Sequence, residues 1–443
     1  MKVSQIMLFG FFFIGIYSME AQDKTSLTLE QAIQMAWNKS NEVTIANTKV
    51  ETSRLEMQSE KNNKYPDFKI SGQYQRLTKA TIDLKLNNSG AATSSSLPVV
   101  DQLMLGQANA SLPVFSGFKT QNKIKASDNL YQAEAANAMQ TKEEVAMKVV
   151  NLYASLYKAQ KTVELLKENQ KSAQQRVTDF IELEKNGIIP RNDLLKAQLQ
   201  VSKVQLALDR AISDLNVINF ELVSLLKMDA KTKLEVRESD FTDFQMNNIP
   251  TDEQLALQNR KDLEAIQFQE KASLANIKIA KSGYYPSIAI LGGYTALNLK
   301  NVLVVQNAMN IGVGLSYDLS GILKNGTTVK IAESKALEIQ NAEAMLKDYI
   351  KIEVQKAIED YDLALKQNLV YNQAVEQASE NYRIIKDKYD NGLSDTNDLL
   401  EADVEQLGSK INKTLAKANV IQKYYELLSV SGQLNQTFNL SKI

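Results

Sequence analysis

The chain carries one set of signposts twice, in the same order. Asn186-Gly187 followed by Asn192-Asp193-Leu194-Leu195 returns 205 positions later as Asn391-Gly392 followed by Asn397-Asp398-Leu399-Leu400. Upstream, Tyr65-Pro66 returns as Tyr285-Pro286 and Ser116-Gly117 as Ser320-Gly321. Such self-similarity points to two copies of one supersecondary unit. Each copy reads helix, Tyr-Pro, alternating strands, Ser-Gly, very long helix, Asn-Gly turn, helix. The implied division is a leader at 1–21, a first repeat at 22–228, a linker at 229–250, a second repeat at 251–431 and a tail at 432–443.

The long helices carry a heptad seam. Val145, Val149, Leu152, Leu156, Ala159, Val163, Leu166, Gln170, Ala173, Val177, Phe180 and Glu184 are spaced alternately four and three, and nearly all are apolar. Shifted by 205, the series becomes Ile350, Val354, Ala357, Tyr361, Ala364, Asn368, Tyr371, Val375, Ala378, Tyr382, Ile385 and Tyr389. A 3-4 alternation keeps one narrow stripe against a partner helix, as in a left-handed coiled coil. After the first Asn-Gly, Leu194 to Leu225 continues the alternation; after the second, Leu400 to Leu428 does so more loosely. Gly187 and Gly392 stand where helices end in the left-handed region. Pro190 is expected in the first turn of the next helix, and Ser394 is expected as the N-cap of its counterpart. A helix over 117–185 would be roughly 100 Å long at ~1.5 Å per residue, and helices over 28–64 and 190–227 roughly 55 Å each. Two shorter helices end to end would match one long one, as in a wall of paired coils.

Between the helices lie four segments of period two. Phe68, Ile70, Gly72 and Tyr74 oppose Lys69, Ser71, Gln73 and Gln75. Ala108, Ala110, Leu112 and Val114 oppose Gln107, Asn109 and Ser111, and Ile288 to Ala296 gives a third apolar face. Met309, Ile311, Val313, Leu315 and Tyr317 oppose Asn310, Gly312, Gly314, Ser316 and Asp318. An apolar face backed by small polar residues is the transmembrane β-barrel pattern; a soluble sheet with one wet face alternates in the same way. The connection at 87–101, long and rich in Ser, Ala and Gly, suits an external barrel loop. Four strands cannot close a barrel, and lipid tolerates no open edge, so a membrane form requires several chains.

Composition narrows the function classes. Lys2 and the apolar run Ile6–Ile16 read as an export signal ending near Ala21, with a membrane anchor as the alternative. The absence of Cys and His removes disulfides and the usual nucleophile–base pairs. No catalytic residue, cofactor-binding motif or metal site emerges. Gly312-Val313-Gly314 lacks the third Gly of a dinucleotide fingerprint, and Thr327 stands where a P-loop places Lys. The acids between Asp390 and Glu401 have partial EF-hand spacing, but Asp395 replaces the required Gly. Basic and acidic side chains number 51 and 52, without a basic stripe for nucleic acid.

Taken together, Tyr-Pro entering the strands, Leu112-Pro113-Val114-Phe115-Ser116-Gly117 leaving them, and Tyr389-Asp390-Asn391-Gly392-Leu393-Ser394 at the second tip resemble the TolC-like outer-membrane efflux proteins. The likeness covers essentially the whole mature chain. It implies a homotrimer in outer-membrane lipid, with a 12-stranded barrel over a long α-helical periplasmic tunnel. Such a trimer is a passive exit duct for efflux or type I secretion, docked to a periplasmic adaptor and an inner-membrane RND-type or ABC-type pump. The resemblance assigns adaptor docking to Gly187, Ile188, Gly392, Leu393 and Ser394, and the tip aromatic to Tyr389. It assigns tunnel-gate acids to Asp398, Glu401 and Asp193. Ser394 replaces the family's basic latch residue, and Glu184 replaces the aromatic of the first tip, leaving Arg191 as a substitute partner.

Two readings of the acids stand. The spacing of Asp398 and Glu401 puts both on one helix face, where three copies would create a field favouring cations. A first-turn carboxylate is also stabilised by the helix dipole, by ~0.3–1 kcal/mol, without any further role. The competing class for the whole chain is a structural or adhesive coiled-coil envelope protein. It would have no need of four strands with apolar outer faces.

Overall fold

The computed structural model describes residues 25–80, 100–242 and 253–438. The expected leader and most of the expected loop at 87–101 lie outside them, as do residues 439–443 of the tail. In chain order the elements are β1 (Thr25–Leu27), α1 (Leu29–Lys39), α2 (Asn41–Asn62), β2 (Asp67–Ala80), β3 (Val100–Phe115), α3 (Lys119–Lys185), α4 (Arg191–Leu225), β4 (Leu234–Val236), α5 (Ser239–Thr242), α6 (Glu253–Asn259), α7 (Lys261–Lys281), β5 (Ser287–Leu299), β6 (Leu303–Ser316), α8 (Leu319–Asp390), α9 (Thr396–Val430) and α10 (Leu434–Thr437). The fold is mainly helical, with few strands.

Contacts divide the chain into two compact units that cut across the sequence repeats. The first comprises the described parts of Met1–Ser40, Val145–Asn248 and Glu359–Glu426. Its seam is the predicted one. Val163 and Leu166 of α3 pack with Leu208 and Ala211 of α4, and Leu407 of α9 joins them. Nearer the turns, Val177 and Phe180 pack with Leu194, Ala197 and Tyr389. The short parallel pair β1–β4 is fastened by side-chain amides, which take the place of further strands. Asn219 donates to the Thr232 carbonyl at 2.8 Å and accepts from the Leu234 amide at 2.9 Å. Gln160 donates to the Leu234 carbonyl at 2.8 Å. Phe241 stacks on Tyr157 at 4.0 Å, and the Tyr153 hydroxyl lies within hydrogen-bond distance of Asp240 and the Leu27 carbonyl.

One expected helix, at 28–64, is two. Thr28 and Gln31 form a reciprocal capping box that starts α1. At Ser40 the backbone turns extended, with ψ 143°, and α2 begins at Asn41. Ser and Asn favour helix starts over helix interiors because their side chains bond nearby backbone. Ser40 is itself buried and takes the position between Ala36 and Val43, so the steps of four and three run straight through the break.

The second unit comprises the described parts of Asn41–Glu144, Ile249–Ile358 and Leu427–Ile443. Ala256, Leu263, Ile350 and Val354 form its helical core. Its sheet is antiparallel throughout, in the order β2-β3-β5-β6, so β2 and β6 are edges. The four predicted apolar faces share one side. Ile70 is 87% exposed and Ile311 86%, and Phe68, Met309, Val313 and Leu315 are also exposed. The two Ser-Gly signposts do not have equal roles. Gly117 has φ +63° and lies so close to Ser282 that a Cβ would meet its carbonyl oxygen at 2.7 Å. Gly321 instead sits in the first turn of α8, its amide donating to Asp318 at 3.0 Å.

Candidate functional site at the hairpin tips

Each hairpin tip is built by the same chemistry. At the first, the Gly187 amide donates to the Glu184 carbonyl and the Ile188 amide to that of Leu183, both at 2.9 Å. At the second, the Gly392 amide donates to the Tyr389 carbonyl at 2.9 Å and the Leu393 amide to that of Lys388 at 2.7 Å. These paired bonds form a Schellman ending, whose penultimate residue must be left-handed; φ is +70° at Gly187 and +72° at Gly392. Asn186 and Asn391 reinforce the turns, each side-chain amide donating to a carbonyl one turn back at 2.7 Å. Ile188 and Leu393 project outward, 68% and 77% exposed, and no heavy atom lies within 4 Å of an ideal Cβ on either Gly.

The helices leaving the tips are capped differently from expectation. Pro190 is the N-cap of α4, one position before the expected first turn, and makes no side-chain cap. Asp395, at the position corresponding to Pro190, caps α9 by accepting from the amides of Asn397 at 2.8 Å and Asp398 at 3.0 Å. Ser394 is not the cap. Its hydroxyl donates to Asp398 Oδ2 at 2.7 Å. A carboxylate accepts two amides more readily than a hydroxyl, and the equivalence of Asp395 and Pro190 is kept.

The predicted acids separate into two environments. Asp398 and Glu401 are exposed in the first turns of α9. Asp193 is half-buried, accepting from the buried Thr396 hydroxyl at 2.9 Å and from Lys196 at 3.3 Å. The first tip is thereby tied to the second. Tyr389 lies in the same cleft of about 490 Å³, stacked on Phe180 at 5.8 Å. Burial raises its phenol above the usual range. Arg191 turns to Glu184 at 3.6 Å, within its own hairpin.

Sequence reasoning missed Thr396 and a buried charge cluster eleven residues from each tip Gly. Arg176 of α3 donates to Asp403 of α9 at 3.2 Å and to the Tyr382 hydroxyl of α8 at 3.3 Å. Asn169 adds a bond to the same carboxylate oxygen at 3.3 Å. Burial opposes the charge on Arg176, but the hydrogen bond and charge of Asp403 outweigh it and raise its pKa. The shifted positions are Asn381 and Gln198, so the pair exists once and the repeat gave no hint of it. No group of residues suited to a metal ion occurs among the described residues.

Comparison with known proteins agrees with this architecture. Residues 32–226 and 253–433 match the outer membrane efflux protein family, and the chain belongs to that family. Members are channels, not enzymes, and the protein's place is the outer membrane with its helical tunnel in the periplasm. No curated protein sequence matches the chain. The fold is similar to that of the outer membrane protein VceC from Vibrio cholerae, with 15% identity and a TM-score of 0.78, over 91% of this chain and 96% of that one. It is similar to the Campylobacter jejuni CmeC outer membrane channel, with 17% identity and a TM-score of 0.74, over 92% and 86%. For the open state of the Neisseria gonorrhoeae MtrE outer membrane channel the identity is 15% and the TM-score 0.76, over 92% and 89%.

Proposed function

We propose that three copies of this chain close a 12-stranded barrel and a helical tunnel, forming the passive exit duct of a tripartite efflux or type I secretion system. One observation carries the reading. The four-stranded sheet has two open edges and a continuous exposed apolar face, a combination that lipid accepts only when edges pair with neighbouring copies. In this reading the repeats span 22–228 and 251–431. The exposed tips, with Gly187, Ile188, Gly392, Leu393 and Ser394, dock a periplasmic adaptor that links the duct to an RND-type or ABC-type pump. Asp398 and Glu401 ring the narrow end, and Asp193 with Tyr389 and Thr396 holds the two tips together. Mass measurement of the protein in lipid nanodiscs is expected to show three chains, and planar bilayers a cation-selective conductance. Replacing Asp398 and Glu401 by Ala should abolish the selectivity. A monomer in lipid, or no conductance, would overturn the duct and leave a structural envelope protein. Unchanged selectivity in the variant would leave only the dipole role for the acids.

A further inference from the structure

The face of the sheet opposite the exposed apolar belt changes character along its length. Cross-strand partners lie on the same face. Near the helical junctions that face carries Asn109, Gly293 and Asn310 in one row, then Gln107, Thr295 and Ala308 in the next. Toward the strand-connecting ends the next rows hold Leu105, Leu297 and Val305, then Leu103, Leu299 and Leu303, joined on β2 by Gln73 and Gln75. On β3, β5 and β6 six aliphatic side chains thus stand where the polar face should continue, while β2 keeps it with Gln73 and Gln75.

A backbone irregularity produces this on β6. Plain alternation from Ala308 would bring Gln306 and Val304 onto the face. Between the rows of Thr295 and Leu297, β6 has an extra residue, with Asn307 at φ +60°. Such a bulge shifts the alternation by one. Val305 and Leu303 therefore pair with Leu297 and Leu299, and Gln306 is excluded from the set. On the other side, Tyr74, Met104, Asn298 and Val304 form the neighbouring row, a mixed aromatic and polar rim of the lipid belt.

We propose that Leu103, Leu105, Leu297, Leu299, Leu303 and Val305 form a binding band for apolar and amphiphilic organic solutes leaving the duct. The proposal rests on the barrel reading above, in which this face surrounds water. Its continuity with Asn109 and Asn310 keeps it away from lipid, and the strand edges, not this face, meet the neighbouring copies. Three copies then present three such patches around the exit, separated by Gln73 and Gln75 of each β2, where aliphatic surface gains only if a solute with a hydrocarbon part covers it.

The chain has no cysteine, so single labels are unambiguous. An environment-sensitive fluorophore is placed on Leu297→Cys, and separately on Asn109→Cys, in trimers in lipid nanodiscs. Both are titrated with n-alkyl trimethylammonium ions of increasing chain length, below micelle formation. The label at position 297 should show a saturable blue shift, with affinity rising about twofold to fourfold per methylene, the upper limit corresponding to ~0.8 kcal/mol for full burial. The label at position 109 should respond weakly, and Leu105→Ser with Leu299→Ser should remove the chain-length dependence. Equal responses at both labels, or a dependence that survives the serines, would overturn the band. Should the serine variant not assemble, block of the unmodified channel by the same ions reads the same property. Potency independent of chain length would then overturn it. Brominated lipids separate this from failure of the barrel reading. They should quench a label on Ile311→Cys and spare Leu297→Cys, whereas equal quenching would place the face in lipid and remove the barrel itself.

Discussion

Asn186-Gly187 and Asn391-Gly392 close α3 and α8 through the same four hydrogen bonds, whereas the helices they close bury different parts of the shared seam. Ala173, Val177 and Phe180 of α3 are buried, while Ala378, Tyr382 and Ile385 of α8 are half-exposed. Glu143 is buried and its counterpart Asp348 exposed. The outer surface differs in the opposite sense: α8 exposes Leu363, Leu369 and Met345 where α3 has Lys158, Glu164 and Gln140. The first copy is completed by its own chain. The second keeps apolar surface for something outside it, which in the trimer reading is a neighbouring copy.

Giving α8 the α3 residues should break that difference most severely. Leu363→Lys with Leu369→Glu is expected to abolish trimers in mass measurements while the helical circular dichroism of the chain persists. Retained trimers would show that this face has no role in assembly.

The next effect is at the unrepeated charge pair. Asp403→Leu leaves Arg176 buried without its partner and should cost about 3–5 kcal/mol in denaturant unfolding, whereas the pair Arg176→Met with Asp403→Leu should recover most of it. Gln198→Ala and Asn381→Ala, at the shifted positions, should each change stability by less than about 0.5 kcal/mol. A single Asp403 variant as stable as the parent would remove the pair from the account of how the two hairpins are held.

At the seam, Phe180→Ala is expected to cost about 3–5 kcal/mol and Ile385→Ala clearly less, since the loss scales with the packing removed. Equal losses would show that the exposure difference has no energetic meaning.

Glu143 gives the comparison a pH signature. Burial raises its carboxyl to about 7 from an ordinary 4.5, against the lowering effects of the Asn435 hydrogen bond and of Lys261 and Arg260; Asp262 adds to the rise. The folded chain therefore binds a proton that the unfolded chain has already lost. This contribution is fully present below the unfolded pKa and is lost as pH rises through about 7. Unfolding midpoints should drop across that window, Glu143→Gln should flatten the drop, and Asp348→Asn should leave it unchanged.

The smallest contrast is at the caps. Asp395→Ala removes an acceptor from two amides and should cost about 1 kcal/mol. Pro190→Ala removes no side-chain cap and should change stability by about 0.5 kcal/mol or less. Thermal midpoints of the two variants decide it.

Features that follow local rules are legible in the residues alone. Residue spacing marked the heptad seam from Val145 to Phe180, the period-two faces of β2, β3, β5 and β6, and the left-handed endings at Gly187 and Gly392, because periodicity and backbone sterics act within a few residues. Packing between segments distant in the chain set the rest. It brought Thr396 to Asp193 and Arg176 to Asp403, pairs more than 200 residues apart. It also turned Val305 and Leu303 onto the face of Leu297 and Leu299, through one extra residue in β6. None of these follows from spacing, since a side chain's partner is set by which helices and strands pack together.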